Sequence, residues 1–539
     1  MSWPTHQVSN QSPPLVDYNL FDTDPALREG LSREGAAWAA PALATLGAEL
    51  GRADRLDLGR LANHYPPELR AFDQKGFRID QVEFHPAWHA LMQGIVENGF
   101  HSSPWAEPRP GAHVARAAGY LMQAQVESGS LCPTTMTYGS IPALAKHPQL
   151  ARDWLSILYS RHYDPRDLPL QRKHGGLIGM GMTEKQGGSD VRSNATVAVA
   201  DGEGWRLTGH KWFFSAPQCD AHLVLAQTEA GLSCFVVPRW QPDDSRNPVL
   251  IQRLKDKVGN RSNASSEVEF AGAWGWLLGE AGRGVATIIE MATYTRLDCV
   301  LGSTGLMRQA LAQAVHHCRH RRAFGALLIE QPLMRSLLAD LALEVEASIA
   351  LALRMGRAFD KQDDPGSQVY RRVVTPVAKY WVCKRAITFA AEAMEVLGGN
   401  GYVEDGALGR LYREAPVNSI WEGSGNVMCL DLMRALAKEP EAVDILAAEL
   451  ERPRGRQAEY DRHLTTLLTA LRRPDPATAR WLTEQLALAL QAGLLIEHAP
   501  EPIAVAFCRA RLATPGLQFG ALAEPAAVDL LLNRVLAGF

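Results

Sequence analysis

Between residues 177 and 281 the chain changes texture, and that change restricts what it can fold into. On either side, the sequence is rich in Ala and Leu, with apolar residues at helical spacing. Inside it, short β-branched and aromatic runs are separated by Gly, Asp, Asn and Pro. WRLTGHKWFFS, AHLVLAQT, LSCFVVP and SSEVEF read as strands, because such runs suit a pleated surface and the intervening residues suit turns. Their spacing predicts an antiparallel sandwich or barrel of about 100 residues. The expected fold is therefore mainly α with a central antiparallel β domain.

The flanks add detail. Pro13, Pro14 and Pro25 interrupt residues 1–40, which read as an arm or loose cap. From 41 to 165 the spacing is helical, as in AHVARAAGYLMQAQVESGS, where Gly129 could end a helix. After 282 three longer helices are expected: Leu306 to about Arg319; one carrying Leu333, Leu337, Leu341, Val345 and Ile349; and Val377 to Leu397, stopping at Gly398-Gly399. Long amphipathic helices with short links predict a bundle. Pro440, Pro453, Pro474 and Pro476 set off a further helical stretch. The expected divisions are 1–176, 177–281, 282–440 and 441–539.

Composition narrows the class. With 46 % hydrophobic and 21 % charged residues, the chain is ordinary globular protein rather than disordered. A net charge of -4 argues against a surface that coats nucleic acid all round, although a local basic face stays open. Eight cysteines without a CxxC pair read as reduced thiols, and the start MSWPTHQVSN does not read as a secretory leader. Both point to the cytoplasm. His85/His89 and His316/His320 stand four apart, as metal ligands on one helical face can, but no third ligand accompanies either pair persuasively. LIGMGMTE lacks the third glycine and the following helix of a dinucleotide fold.

Three segments carry more specific chemistry. In MTEKQGGSD (182–190), Thr183 and Ser189 offer hydroxyls, while Gly187 and Gly188 admit a ligand close to the backbone. KWFFS (211–215) supplies an apolar run ending in a hydroxyl. A flat heterocycle needs such walls and edge donors, and an ordinary loop and amphipathic strand would read the same way. In SIWEGSGN (419–426), Glu422 stands beside Trp421, a setting that raises a carboxyl toward the range of a working base. Ser424, Gly425 and Asn426 then resemble a helix start, whose free N–H groups favour phosphate. A plain N-cap beside an acid would look alike.

Taken in order, MTEKQGGSD, KWFFSA, VGNRSNASSEVEF, RHRRAFG, EVLGGNGY and IWEGSGN resemble the acyl-CoA dehydrogenase flavoprotein family over about residues 45–437. Within it, GNRSNAS, AMEVLGG, PVNSIWEGSGN and the extra C-terminal stretch resemble a bacterial alkylation-response branch. The resemblance implies FAD as cofactor and a homotetramer. It implies FAD contacts at Met182, Thr183, Gly188 and Ser189, and at Phe213, Phe214 and Ser215. Arg321 and Phe324 resemble contacts lent by a neighbouring subunit; Gly398, Gly399, Gly423, Ser424, Gly425 and Asn426 resemble further FAD positions. Glu422 resembles the base that removes a substrate α-proton, and Thr295 leaves it the only matched base. Lys185 stands where the family has proline, so the loop before the flavin is expected to take another path. Glu395 replaces a usual Gln, and Gln331 is displaced by one position.

Residues 441–539 hold ten Arg, no Lys and twelve acids, yet Arg452, Arg454, Arg456, Arg462, Arg472 and Arg473 crowd one stretch. Guanidinium groups match phosphates in a bidentate way, so this stretch could bind double-stranded DNA without sequence preference. By charge alone a solvated face paired to acids is the plainer reading; the resemblance implies DNA binding and protection from alkylation. Two alternatives stand beside it: a metabolic dehydrogenase of short or branched acyl-CoA, and a flavin-stabilised DNA-binding scaffold without turnover.

Overall fold

The computed structural model describes residues 3, 5–513, 516–522 and 524–539. They form two compact units, one built from 1–56, 113–125 and 299–539, the other from 57–112 and 126–298. The division cuts the helices Ala112–Val126 and Gly284–His320.

The second unit holds the strands. A hairpin of β1 (Glu68–Phe72) and β2 (Arg78–Glu83) lies in a stretch read from sequence as helical. Its turn explains it: Asp73 Oδ1 accepts the N–H groups of Lys75 and Phe77, and Gly76 sits at φ +85. The β domain comprises β3 (Ile178–Gly181), β4 (Val197–Asp201), β5 (Gly204–Ser215), β6 (Ala221–Thr228), β7 (Gly231–Pro238), β8 (Val249–Leu254) and β9 (Ser265–Leu278). Pairing runs β6–β7–β9–β5–β4 and returns to β6, closing the sheet on itself. The pairs are antiparallel except β3–β6 and the single β4–β6 bridge, which are parallel. The closed sheet, with β3 and β8 as edge strands, buries a core of Leu207, Phe214, Val224, Phe235, Val268 and Phe270.

The first unit is helical. Gly284–His320, Pro332–Asp360 and Pro365–Val396 are its long helices. Pro365–Val396 starts twelve residues before the expected Val377 and carries Pro376 inside. Proline removes one backbone bond, but Val369, Val373, Val374 and Val377 are buried around it, and tertiary packing outweighs the local break. Asp364 Oδ2 caps the start by accepting the Ser367 N–H at 2.7 Å, and Gly398 at φ +59 ends the helix, as expected.

The first forty residues are more tightly held than an arm. Leu15, Tyr18, Leu20, Phe21, Leu27 and Leu31 are buried. Tyr18 donates to Gln309 Oε1 at 2.7 Å, and Asp24 pairs with buried Arg308 at 2.8 Å.

Residues 441–539 cluster with the bundle. Arg354 pairs with Glu449, Arg534 with Glu346, and Arg511 with Asp340 and Glu344, which also holds Arg385. Among the described residues no helix is long and apolar enough to cross a membrane, and no group of three or more His, Cys, Asp or Glu could hold a metal. His85 instead caps a helix through Nδ1, and the rings of His316 and His320 lie 4.4 Å apart with both side chains bonded to carbonyls.

Candidate functional site

In the β-containing unit, the 182–190 loop is folded around a buried ion pair. Lys211 Nζ lies 2.6 Å from Glu184 Oε1, with both side chains fully buried. Glu184 also accepts the N–H groups of Ala195 and Thr196 and the Gln186 amide, while Lys211 donates to Leu225 O at 2.8 Å. These donors and the lysine hold the carboxyl down to about 2 against the opposing effect of burial. The pair is charged and hydrogen-bonded on both sides, and it was not singled out from sequence.

The loop backbone is tied as well. Trp212 N donates to Thr183 O at 2.8 Å, and Asn194 Nδ2 donates to Met182 O at 2.8 Å. Lys185 N donates to His210 Nε2 at 3.0 Å, a bond that proline could not make. The non-proline path is thus held by its own contact. A Cβ on Gly188 would stand 3.3 Å from Thr183 Cγ2, so its absence keeps the Thr183 side uncrowded. Thr183 is half-buried, and Gly188 and Ser189 are exposed.

On β5, a register shift between Lys211 and Phe214 separates two adjacent phenylalanines. Phe213 is 50 % exposed, whereas Phe214 is 1 % exposed and stacks on His222 with ring centroids 3.8 Å apart. Phe214 therefore packs the barrel core, and Phe213 offers a surface face. Burial pushes the His222 imidazole down to about 3, so the stacked ring is neutral at neutral pH. Ser215 Oγ is 3.4 Å from Ser265 Oγ of the GNRSNASS segment.

Behind this segment lies a buried Glu127. It accepts from Asn63 Nδ2, Gly129 N, Ser130 N, Ser130 Oγ and Ser262 Oγ, all between 2.6 and 3.0 Å. The Gly129 position leaves no room for a Cβ, which would fall 1.9 Å from Ser262 Oγ. One carboxylate thus joins the helical segment to the GNRSNASS segment.

In the helical unit, Glu422 adopts φ +59 and Gly423 φ +107, after which Gly425–Lys438 begins. A non-glycine residue in the left-handed region is held there by its surroundings. Buried Lys379 donates from Nζ to Gly423 O at 2.8 Å, fixing the turn. Trp421 Nε1 donates to Asn418 Oδ1, and Asn418 Nδ2 to Ser303 Oγ.

The helix start is strongly cationic. A Cβ on Gly425 would fall 2.6 Å from Lys384 Cε, so this glycine is what lets the lysine approach. Arg480, from the C-terminal stretch, donates to Asn426 Oδ1 and to the Tyr380 hydroxyl, each at 3.2 Å. Burial, with Arg480 beside it, lowers the Lys384 pKa from the usual lysine value. Lys384, Arg480 and the Ser424 hydroxyl add donors to the positive end of the helix. Neither Lys384 nor Arg480 was singled out from sequence, because each is remote in the chain from Gly425.

Other expected positions fall elsewhere. Phe324 is 98 % exposed at the tip of a hairpin, Arg322–Ala323 against Ala326–Leu327, with φ +53 followed by Gly325 at +84. Gln331 braces that hairpin by donating to Ala323 O at 3.1 Å. The Arg321 guanidinium donates to Asn10 O. Gly398 and Gly399 have open space where a Cβ would stand.

The six arginines do not form one row. Arg452, Arg454 and Arg456 lie in the turn between the helices Ala442–Leu450 and Ala458–Arg472, while Arg472 and Arg473 lie at the far end of the latter. Its 15 residues separate the groups by roughly 22 Å. Arg452 pairs with Glu497 at 3.3 Å, Arg454 with Glu451, and Arg462 with Glu459 at 3.7 Å, with both partners of the Arg454 pair well exposed.

Three family descriptions match the chain: adaptive response protein AidB N-terminal domain over residues 10–165, acyl-CoA dehydrogenase middle domain over 179–273 and acyl-CoA dehydrogenase C-terminal domain over 282–437. The chain is 51 % identical to AidB of Escherichia coli (strain K12) over 538 residues, 99 % of each chain. The structure named Bd2924 apo-form has TM-score 0.82 at 29 % identity, covering 91 % of this chain and 99 % of that one. Caenorhabditis elegans ACDH-11, solved with C11-CoA, has TM-score 0.83 at 24 % identity, covering 99 % and 93 %.

Proposed function

The chain belongs to the acyl-CoA dehydrogenase family, in the branch that includes AidB, and from that premise we propose that it is a FAD flavoprotein that binds double-stranded DNA and protects it from alkylation damage. The observation that carries the cofactor reading is the start of the helix Gly425–Lys438. Its free N–H groups, the Ser424 hydroxyl, Lys384 and Arg480 are a donor set suited to a diphosphate. In the β-containing unit, Met182, Thr183 and Ser189 with Phe213 and Ser215 supply the apolar face and edge donors that a flavin ring requires. FAD, when bound, supplies a hydride acceptor.

The chain's own part is to hold and move a proton. Glu422 is the candidate base, its carboxylate taking a proton from the carbon α to a substrate carbonyl. Lys379 and the 423 carbonyl hold its backbone in one conformation. An acyl-CoA or another small molecule would be the donor. Purified protein is expected to be yellow and to bleach anaerobically with its reductant. Glu422→Gln should retain the colour and lose bleaching by at least a hundredfold in rate. A Glu422→Gln variant that bleaches normally would overturn the base assignment. Intact cellular protection in that variant would mean that shielding of DNA, rather than turnover, protects.

Support for the DNA reading comes from exposed guanidinium groups at both ends of the helix Ala458–Arg472. Exposed ion pairs such as Arg454–Glu451 contribute only about 0–1 kcal/mol, so a phosphate can compete for them. The full-length variant Arg454→Glu/Arg456→Glu/Arg472→Glu/Arg473→Glu tests it. Duplex affinity should fall at least tenfold with flavin content unchanged, and unchanged affinity would place DNA elsewhere.

A further inference from the structure

Apart from the residues discussed so far, the β-containing unit carries an open cavity of about 460 Å³. That volume lies in the range of small-molecule sites. Its lining carries four indoles, from Trp154, Trp240, Trp274 and Trp276, together with acids, and the Arg246 guanidinium already lies over the Trp240 ring, 5.1 Å from its centroid. Trp274 and Trp276 meet edge to face with centroids 4.5 Å apart, and Trp154 meets Trp276 edge to face at 6.5 Å. The rings are held in place. Gly204 leaves room for the Trp274 indole, since a Cβ there would stand 2.3 Å from Trp274 Nε1. Trp240 Nε1 donates to Asp167 Oδ1 at 2.8 Å.

Charge decides what such a box would take. Asp220 on its wall is already satisfied by Lys173 at 2.6 Å and by the Leu177 N–H. Asp153 and Glu203 are exposed and, among the described residues, have no hydrogen-bond or ion-pair partner. Indole faces attract cations through their ring quadrupole, and unpaired carboxylates add to that field. The same carboxylates repel phosphates and acyl-CoA. Trp154 is 1 % exposed, and its Nε1 has no hydrogen-bond partner, although buried polar groups are nearly always paired.

We propose that this cavity is a binding site for a small organic cation of the alkylammonium class. It is separate from the flavin and DNA readings and does not depend on them. The full-length protein can be titrated calorimetrically with choline and with its neutral isostere 3,3-dimethylbutan-1-ol. Choline should bind saturably and at least tenfold more tightly than the isostere. Asp153→Asn/Glu203→Gln, which alters only exposed side chains, should weaken choline at least fivefold and leave the isostere unchanged. Trp274→Phe should weaken choline further while flavin absorbance stays as in the parent. No saturable choline binding, equal affinity for the isostere, or methylguanidinium binding as tightly as choline would each overturn the proposal.

Discussion

At the scale of single residues, burial decides which charges matter. Glu184 and Lys211 form a fully buried pair beneath the 182–190 loop. Removing one partner leaves the other charge desolvated, so Lys211→Met should destabilise by about 3–5 kcal/mol. Glu184→Gln/Lys211→Met should recover part of that loss in chemical unfolding; strictly additive single and double variants would mean the pair is not coupled. Asp360 behaves differently. Burial pushes its carboxyl up to about 6 while His113 N donates to it at 2.7 Å. Because the folded state then holds its proton more tightly than the unfolded chain does, the contribution is complete below about pH 4 and is lost as pH rises through 6. A rise of that size corresponds to at most ~3 kcal/mol. Asp360→Asn, which cannot ionise, should therefore gain on the parent between pH 4 and 7 in denaturant melts. Parallel pH profiles would refute that account.

At the scale of elements, local signals placed pieces and packing adjusted their ends. Gly398 stops its helix where the glycine pair suggested, yet the same helix runs back through Pro376, since buried valines outweigh one missing bond. KWFFS is a strand, but alternation could not say which phenylalanine faces outward, because the register shift after Lys211 resets the period. The hairpin bearing Phe324 allows a clean test. With 98 % of that side chain exposed, Phe324→Ala should change stability by less than about 0.5 kcal/mol. If a neighbouring subunit's cofactor meets it, FAD release measured by flavin fluorescence should accelerate several-fold. Unchanged release would remove Phe324 from the cofactor contacts.

At the scale of the whole molecule, chain-distant segments share functions that their order conceals. Arg480 of the C-terminal stretch reaches Asn426, while Arg511 and Arg534 hold acids of the bundle. Arg511 and Arg534 are thus committed to the fold, whereas Arg472 and Arg473 at the end of Ala458–Arg472 are exposed. If three or four phosphates are engaged, the logarithm of duplex affinity should fall with the logarithm of salt at a slope near -3. Arg472→Glu/Arg473→Glu should make it shallower by about 1–2, and a slope near zero would exclude phosphate contacts. By itself, the amino-acid order determined the helical, β and helical succession and the glycine stop at Gly398, because periodicity and turn chemistry act over a few residues. Only the tertiary structure decided that Phe214 is core, that Lys211 neutralises Glu184, that Lys384 and Arg480 meet at one helix start and that four indoles wall one cavity. Each of those facts joins residues whose separation along the chain carries no local signal, so only the packed chain brings them within reach of one another.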